Sequence, residues 1–73
     1  MTTYGEKAVG LTFNPSGDKD VEMLKKLYAN IIDFCATARD TTMNGERKRL
    51  FSIAITEAQT AQMWAVKAVT WKD

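Results

Sequence analysis

Residues 50–71 read LFSIAITEAQTAQMWAVKAVTW, and their spacing decides the fold. Leu50, Ala54, Glu57, Ala61, Trp64, Ala68 and Trp71 recur in alternating steps of four and three, the period of a helix seam that packs along its whole length. Only Glu57 interrupts the apolar run. A second row lies beside the first at Phe51, Ile55, Ala58, Val66 and Val69, interrupted by Gln62. One partner helix covers one row, so two adjacent rows call for a second partner. In a chain of 73 residues that partner is expected to be another copy of the same protein.

Upstream, Val21, Leu24, Tyr28, Ile31, Cys35 and Ala38 form a similar seam, widened by Leu27 and Phe34 and flanked by Met23 and Ile32. Lys25, Lys26, Asn30, Asp33 and Thr37 fall largely off it. Between the two periodic stretches, Asp40-Thr41-Thr42-Met43-Asn44-Gly45 has the composition of a short connection between antiparallel helices. Before the first, Asn14-Pro15-Ser16-Gly17 reads as a turn: proline presets its backbone angle and asparagine bonds to following amides. Ser16 or Asp18 then caps the helix, whose first turn carries Asp20 and Glu22 at the positive end of its dipole. The chain is therefore expected to be a single all-α domain. An N-terminal arm or short helix and turn would occupy residues 1–17, a helix 18–40, a loop 41–45 and a second helix 46–72.

Composition narrows the chemistry. There is no histidine, which removes the commonest general base and metal ligand together. The single cysteine, Cys35, excludes an intramolecular disulfide and a cysteine-only zinc site, and no basic neighbour is placed to ionise it. The glycines are scattered, so no phosphate-cradling loop exists, and no Glu-x-x-His pair is available for a bundle metal. No enzymatic activity, metal or cofactor is expected. A net charge of +1 gives no global field towards DNA or membrane. Arg47-Lys48-Arg49 alone falls short of a DNA footprint. The first residues lack the layout of a signal peptide and no stretch has the length of a membrane span, so the expected address is the cytoplasm.

Binding is better supported. Phe13 stands beside Asn14 and Pro15, just before a helix carrying Lys25 and Lys26, and an aromatic face, an amide and an ammonium suit a nucleobase and its phosphate. Arg47, Lys48, Arg49 and Lys67 add cations on the last helix, with Thr56, Thr60 and Thr70 as hydroxyl donors. Each has a plainer reading: Phe13 as a hydrophobic staple, the lysines as a solvated face, Trp64 and Trp71 as interface anchors. A non-catalytic helical-bundle adaptor that recruits another protein is the corresponding alternative function.

Thr12-Phe13-Asn14-Pro15-Ser16 with Val21-Glu22-Met23-Leu24-Lys25, followed by Ser52-Ile53-Ala54-Ile55-Thr56 and Ala61-Gln62-Met63-Trp64-Ala65-Val66-Lys67-Ala68, resembles the phage anti-CBASS sponge proteins. Their helical hairpin domain is shared with the Thoeris anti-defence sponges. The resemblance implies a non-catalytic homo-oligomer, typically a hexamer, that works in the infected bacterial host. Such proteins trap cyclic di- and trinucleotide immune messengers such as 3′,3′-cyclic GMP–AMP. For the dinucleotide site it implies an aromatic at the turn, matched by Phe13 beside Pro15 and Ser16, and a lysine on the first long helix, either Lys25 or Lys26. For a trinucleotide site it implies an asparagine, matched by Asn14, and a basic residue on the last helix, either Arg49 or Lys67.

Overall fold

Three helices and no strand make up residues 2–73, the part of the chain that this computed structural model describes. α1 spans Tyr4–Val9, α2 Lys19–Thr41 and α3 Gly45–Val69. α2 and α3 form the antiparallel hairpin, and α1 packs along α2, with Tyr4 near Arg39, Gly5 against Ala29 and Asp33, and the following Gly10 at Lys25.

Each helix starts on a side chain that takes up its free amides. Thr3 and Glu6 close a reciprocal capping box on α1, with Glu6 N–H donating to Thr3 Oγ1 at 3.1 Å and Thr3 N–H to Glu6 Oε1 at 2.8 Å. Asp18, of the two residues expected to cap α2, accepts from the amides of Asp20 and Val21. Asn44 Oδ1 accepts from Arg47 N–H at 2.9 Å to start α3. Lys48 Nζ reaches back to the Arg39 carbonyl at 3.0 Å, so part of the basic opening of α3 serves the end of α2.

The inward face of α2 differs from the expected seam. Val21 is buried as expected, but beyond it Lys25, Ala29, Ile32 and Ala36 are buried, one position round from the expected Leu24, Tyr28, Ile31 and Cys35. Small residues allow the close approach: Gly5 of α1 lies so near α2 that a Cβ there would overlap the Ala29 carbonyl oxygen. The Gly5 amide donates to Asp33 Oδ1 at 2.6 Å. On α3 the inward row is the second one, with Ile55 and Gln62 buried and Phe51, Ala58, Val66 and Val69 half-buried. The first row, from Leu50 to Trp71, is exposed throughout. Met23, Leu27, Ile31 and Phe34 are likewise exposed on α2. The core of Val9, Ala29, Ile32, Ala36 and Ile55 is correspondingly small.

Candidate functional site

α1 ends at Gly10, whose left-handed backbone (φ 63°) turns the chain out of the helix. The loop that follows carries Phe13 to Ser16 along the side of α2 and returns at Asp18. Its far half is tied by its own side chains. Asn14 Nδ2 donates to the Asp18 carbonyl at 3.0 Å, Ser16 Oγ donates to Asn14 Oδ1 at 2.7 Å, and Gly17 N–H closes the turn on the Asn14 carbonyl at 3.1 Å.

Its near half is held from below by Lys25. This lysine is only 6% exposed, and its ammonium donates to the Gly10 carbonyl at 3.0 Å and to the Phe13 carbonyl. The same Nζ lies 5.6 Å from the centroid of the Phe13 ring, within cation–π reach. Among the described residues no carboxylate pairs with it. A buried cation balanced only by carbonyl dipoles and a ring face attracts an anion. Phe13 itself is 72% exposed, so it is not a staple folded under the loop.

Phe13, Asn14, Pro15, Ser16 and Lys25 converge on one hollow of about 310 Å³, floored by Val21, Val66 and Thr70. A second, more open hollow shares Phe13, Lys25 and Val66 and adds Lys7, Gly10 and Gln62. Five of the eight residues singled out in the sequence thus meet at one place. Lys26 does not join them. Its ammonium is 2.9 Å from Glu22 Oε1 on the outer side of α2, and the pair holds the Glu22 carboxyl below its ordinary range. Arg49 is at the opposite end of the hairpin, about 25 Å along α3 from Val66 at 1.5 Å per residue. It is 2.7 Å from Glu46, whose carboxyl it holds below its ordinary range. Lys67 is next to Val66, but its ammonium stacks over Trp64 and Trp71 at 5.4 and 5.8 Å from the ring centroids.

Val21 and Val66, the floor of the hollow, read in the sequence only as members of apolar rows. Gln62 left a clearer signal, a polar residue inside such a row. Among the described residues no cluster of His, Cys, Asp and Glu can hold a metal, and no helix is long and apolar enough to cross a membrane.

Residues 6–70 match the family described as Acb2/Tad1, hairpin domain. No curated protein and no solved structure matches the chain. The match takes in α2, α3, the loop and most of α1, so the chain belongs to the Acb2/Tad1 hairpin family, the anti-CBASS and anti-Thoeris sponges.

Proposed function

We propose, with membership of the Acb2/Tad1 hairpin family as the premise, that this protein is a phage anti-defence sponge. In this reading it binds cyclic di- or trinucleotide messengers in the cytoplasm of the infected host and holds them without cleaving them. One observation carries the reading beyond family membership: the exposed ring of Phe13 stands above the buried, carboxylate-free ammonium of Lys25. A nucleobase stacks on the ring. A lysine ammonium has three hydrogens, two of which go to Gly10 and Phe13, leaving the third for a phosphate oxygen. Asn14 keeps one Nδ2 hydrogen free after its bond to Asp18.

The hollow is small, at the low end of the roughly 300–1,000 Å³ usual for ligand pockets. It is a half-site in this reading, and a second copy supplies the facing wall. A cyclic dinucleotide has near-twofold symmetry, so two symmetry-related copies of Phe13 and Lys25 can take its two halves. Trapping is stoichiometric, and an oligomer, a hexamer by resemblance to the family, multiplies pockets per particle. Arg49 and Lys67 are candidates for a trinucleotide site completed between copies, and Lys26 is available wherever a phosphate displaces Glu22.

Titration calorimetry of the pure protein against 3′,3′-cyclic GMP–AMP and a cyclic triadenylate tests the reading. Tight, saturable heat is expected for at least one, with intact ligand recovered after proteolysis of the complex. Absence of heat with either would favour a helical adaptor whose exposed apolar rows recruit a protein. Recovery of linear nucleotide would make the protein a hydrolase.

A further inference from the structure

Gln62 occupies a position where α3 turns its apolar row inward. Its row-mates are Phe51, Ile55, Ala58, Val66 and Val69, and it alone is polar. The residue is 6% exposed, yet its carboxamide makes no hydrogen bond among the described residues. Even so, no buried side-chain nitrogen or oxygen there is sealed away without a partner. The two facts hold together because the amide atoms keep some access to solvent, and Gln62 lines the hollow beside Phe13 and Lys25. An amide this enclosed and bonded by no described protein group is free to meet the polar edge of a ligand in that hollow.

We propose that Gln62 is a specificity-determining residue that reads the edge of the purine stacked on Phe13 and favours adenine. The inference rests on the cyclic-nucleotide reading of the site. A carboxamide offers one acceptor and one donor side by side, and adenine presents the complementary pair at N6 and N7. Guanine at the same edge presents O6 and N7, two acceptors, so the carboxamide oxygen would face a like atom and lose its bond. Leucine or methionine in this position would fill the row equally well and read nothing.

The test uses the full-length protein with 3′,3′-cyclic di-AMP and 3′,3′-cyclic di-GMP, whose two bases are identical and leave no ambiguity about which one meets Gln62. The wild type is expected to bind the adenine ligand about tenfold or more tighter, the discrimination of one good bidentate pair. Gln62→Met, which fills the same volume with an apolar chain, should bring the ratio close to one by weakening the adenine ligand alone. Gln62→Glu keeps the shape and loses the donor, and should lose the same preference, which guards against a folding defect peculiar to one variant. A wild type that binds both ligands equally, or variants that keep the wild-type ratio, would overturn the role of Gln62 and leave the sponge reading standing. A wild type that binds neither ligand would also overturn the role of Gln62, and the sponge reading would then rest on its own test with 3′,3′-cyclic GMP–AMP and the cyclic triadenylate.

Discussion

A lysine buried without a carboxylate has few ways to be satisfied, and Lys25 uses two backbone carbonyls and a ring face. The side chain therefore has a structural duty in the empty protein: it holds the Gly10–Phe13 half of the loop against α2, so the ring and the Asn14 amide are in place before a ligand arrives. Pre-placement of this kind lowers the entropy cost of binding. Replacing Lys25 with Met keeps the stem and removes the charge. Amide exchange at Phe13 and Gly17, both bonded within the loop, should accelerate in the ligand-free variant while the amides of α3 keep their protection. Cyclic-dinucleotide affinity should fall by about 1.5–3 kcal/mol, as expected for loss of a charge-assisted hydrogen bond. Unchanged loop exchange would show that the clamp contributes nothing; unchanged affinity would remove Lys25 from the site. The sequence revealed a lysine at a suitable place on a helix but not its burial. Periodicity assigned the inward face of α2 from its large residues, whereas α2 turns Ala29 and Ala36 inward, and α1 approaches closely at Ala29. Where a short neighbouring helix crosses is a tertiary fact that the pattern of α2 does not contain.

At the scale of elements, α1 carries the loop, so the site depends on how that helix is fixed. The Thr3-x-x-Glu6 spacing that starts it is a capping-box signature, and it was legible once α1 was considered a helix and not an extended arm. Its docking was not legible. It rests on Gly5, whose missing side chain lets two backbones meet and whose amide bonds to Asp33, twenty-eight residues away. Gly5→Ala should therefore be costly although alanine favours helices. The added carbon meets a backbone oxygen, which cannot rotate aside, and also approaches to 2.8 Å from Asp33 Oδ1. Overpacking of this kind costs about 1–3 kcal/mol, against a helix-propensity gain of about 1 kcal/mol. The expected net result is release of α1: faster amide exchange over residues 4–9, a lower melting temperature, and weaker ligand binding through the displaced loop. A variant that melts at or above the wild-type temperature would show that α1 can shift at no cost. The long helices and their turn, by contrast, were readable because each carries its own period and its own cap.

The whole molecule is a plate of 46 × 29 × 13 Å, one helix thick. Its radius of gyration is 13.4 Å, against about 11 Å for a compact chain of this length. It exposes 5388 Å², where a compact monomer of 8.2 kDa exposes about 4,500 Å². Large apolar side chains are among what it exposes: Met23, Leu27, Ile31 and Phe34 on α2, Leu50 and Trp64 on the outer row of α3, and Trp71 just past the end of α3, which stops at Val69 and not at the expected residue 72. Both rows of α3 were visible in the sequence, and their adjacency already called for two partners. The hairpin takes one row and leaves the other free, which supports assembly as the proposed use of the second. Phe34 tests it cleanly because, at 71% exposed, it contributes nothing to the core of a single chain. Phe34→Asp should leave helix content intact and shift the mass seen by light scattering from the oligomer towards 8.2 kDa. The loss per subunit should approach the burial energy of one phenylalanine, about 1.5–3 kcal/mol, plus the cost of placing a carboxylate at an apolar contact. If the ligand hollow is closed by a neighbouring copy, the same substitution should also weaken cyclic-nucleotide binding without touching Phe13 or Lys25. A wild-type protein that runs as a lone 8.2 kDa particle, with a melting temperature independent of concentration, would end both the assembly and the shared pocket.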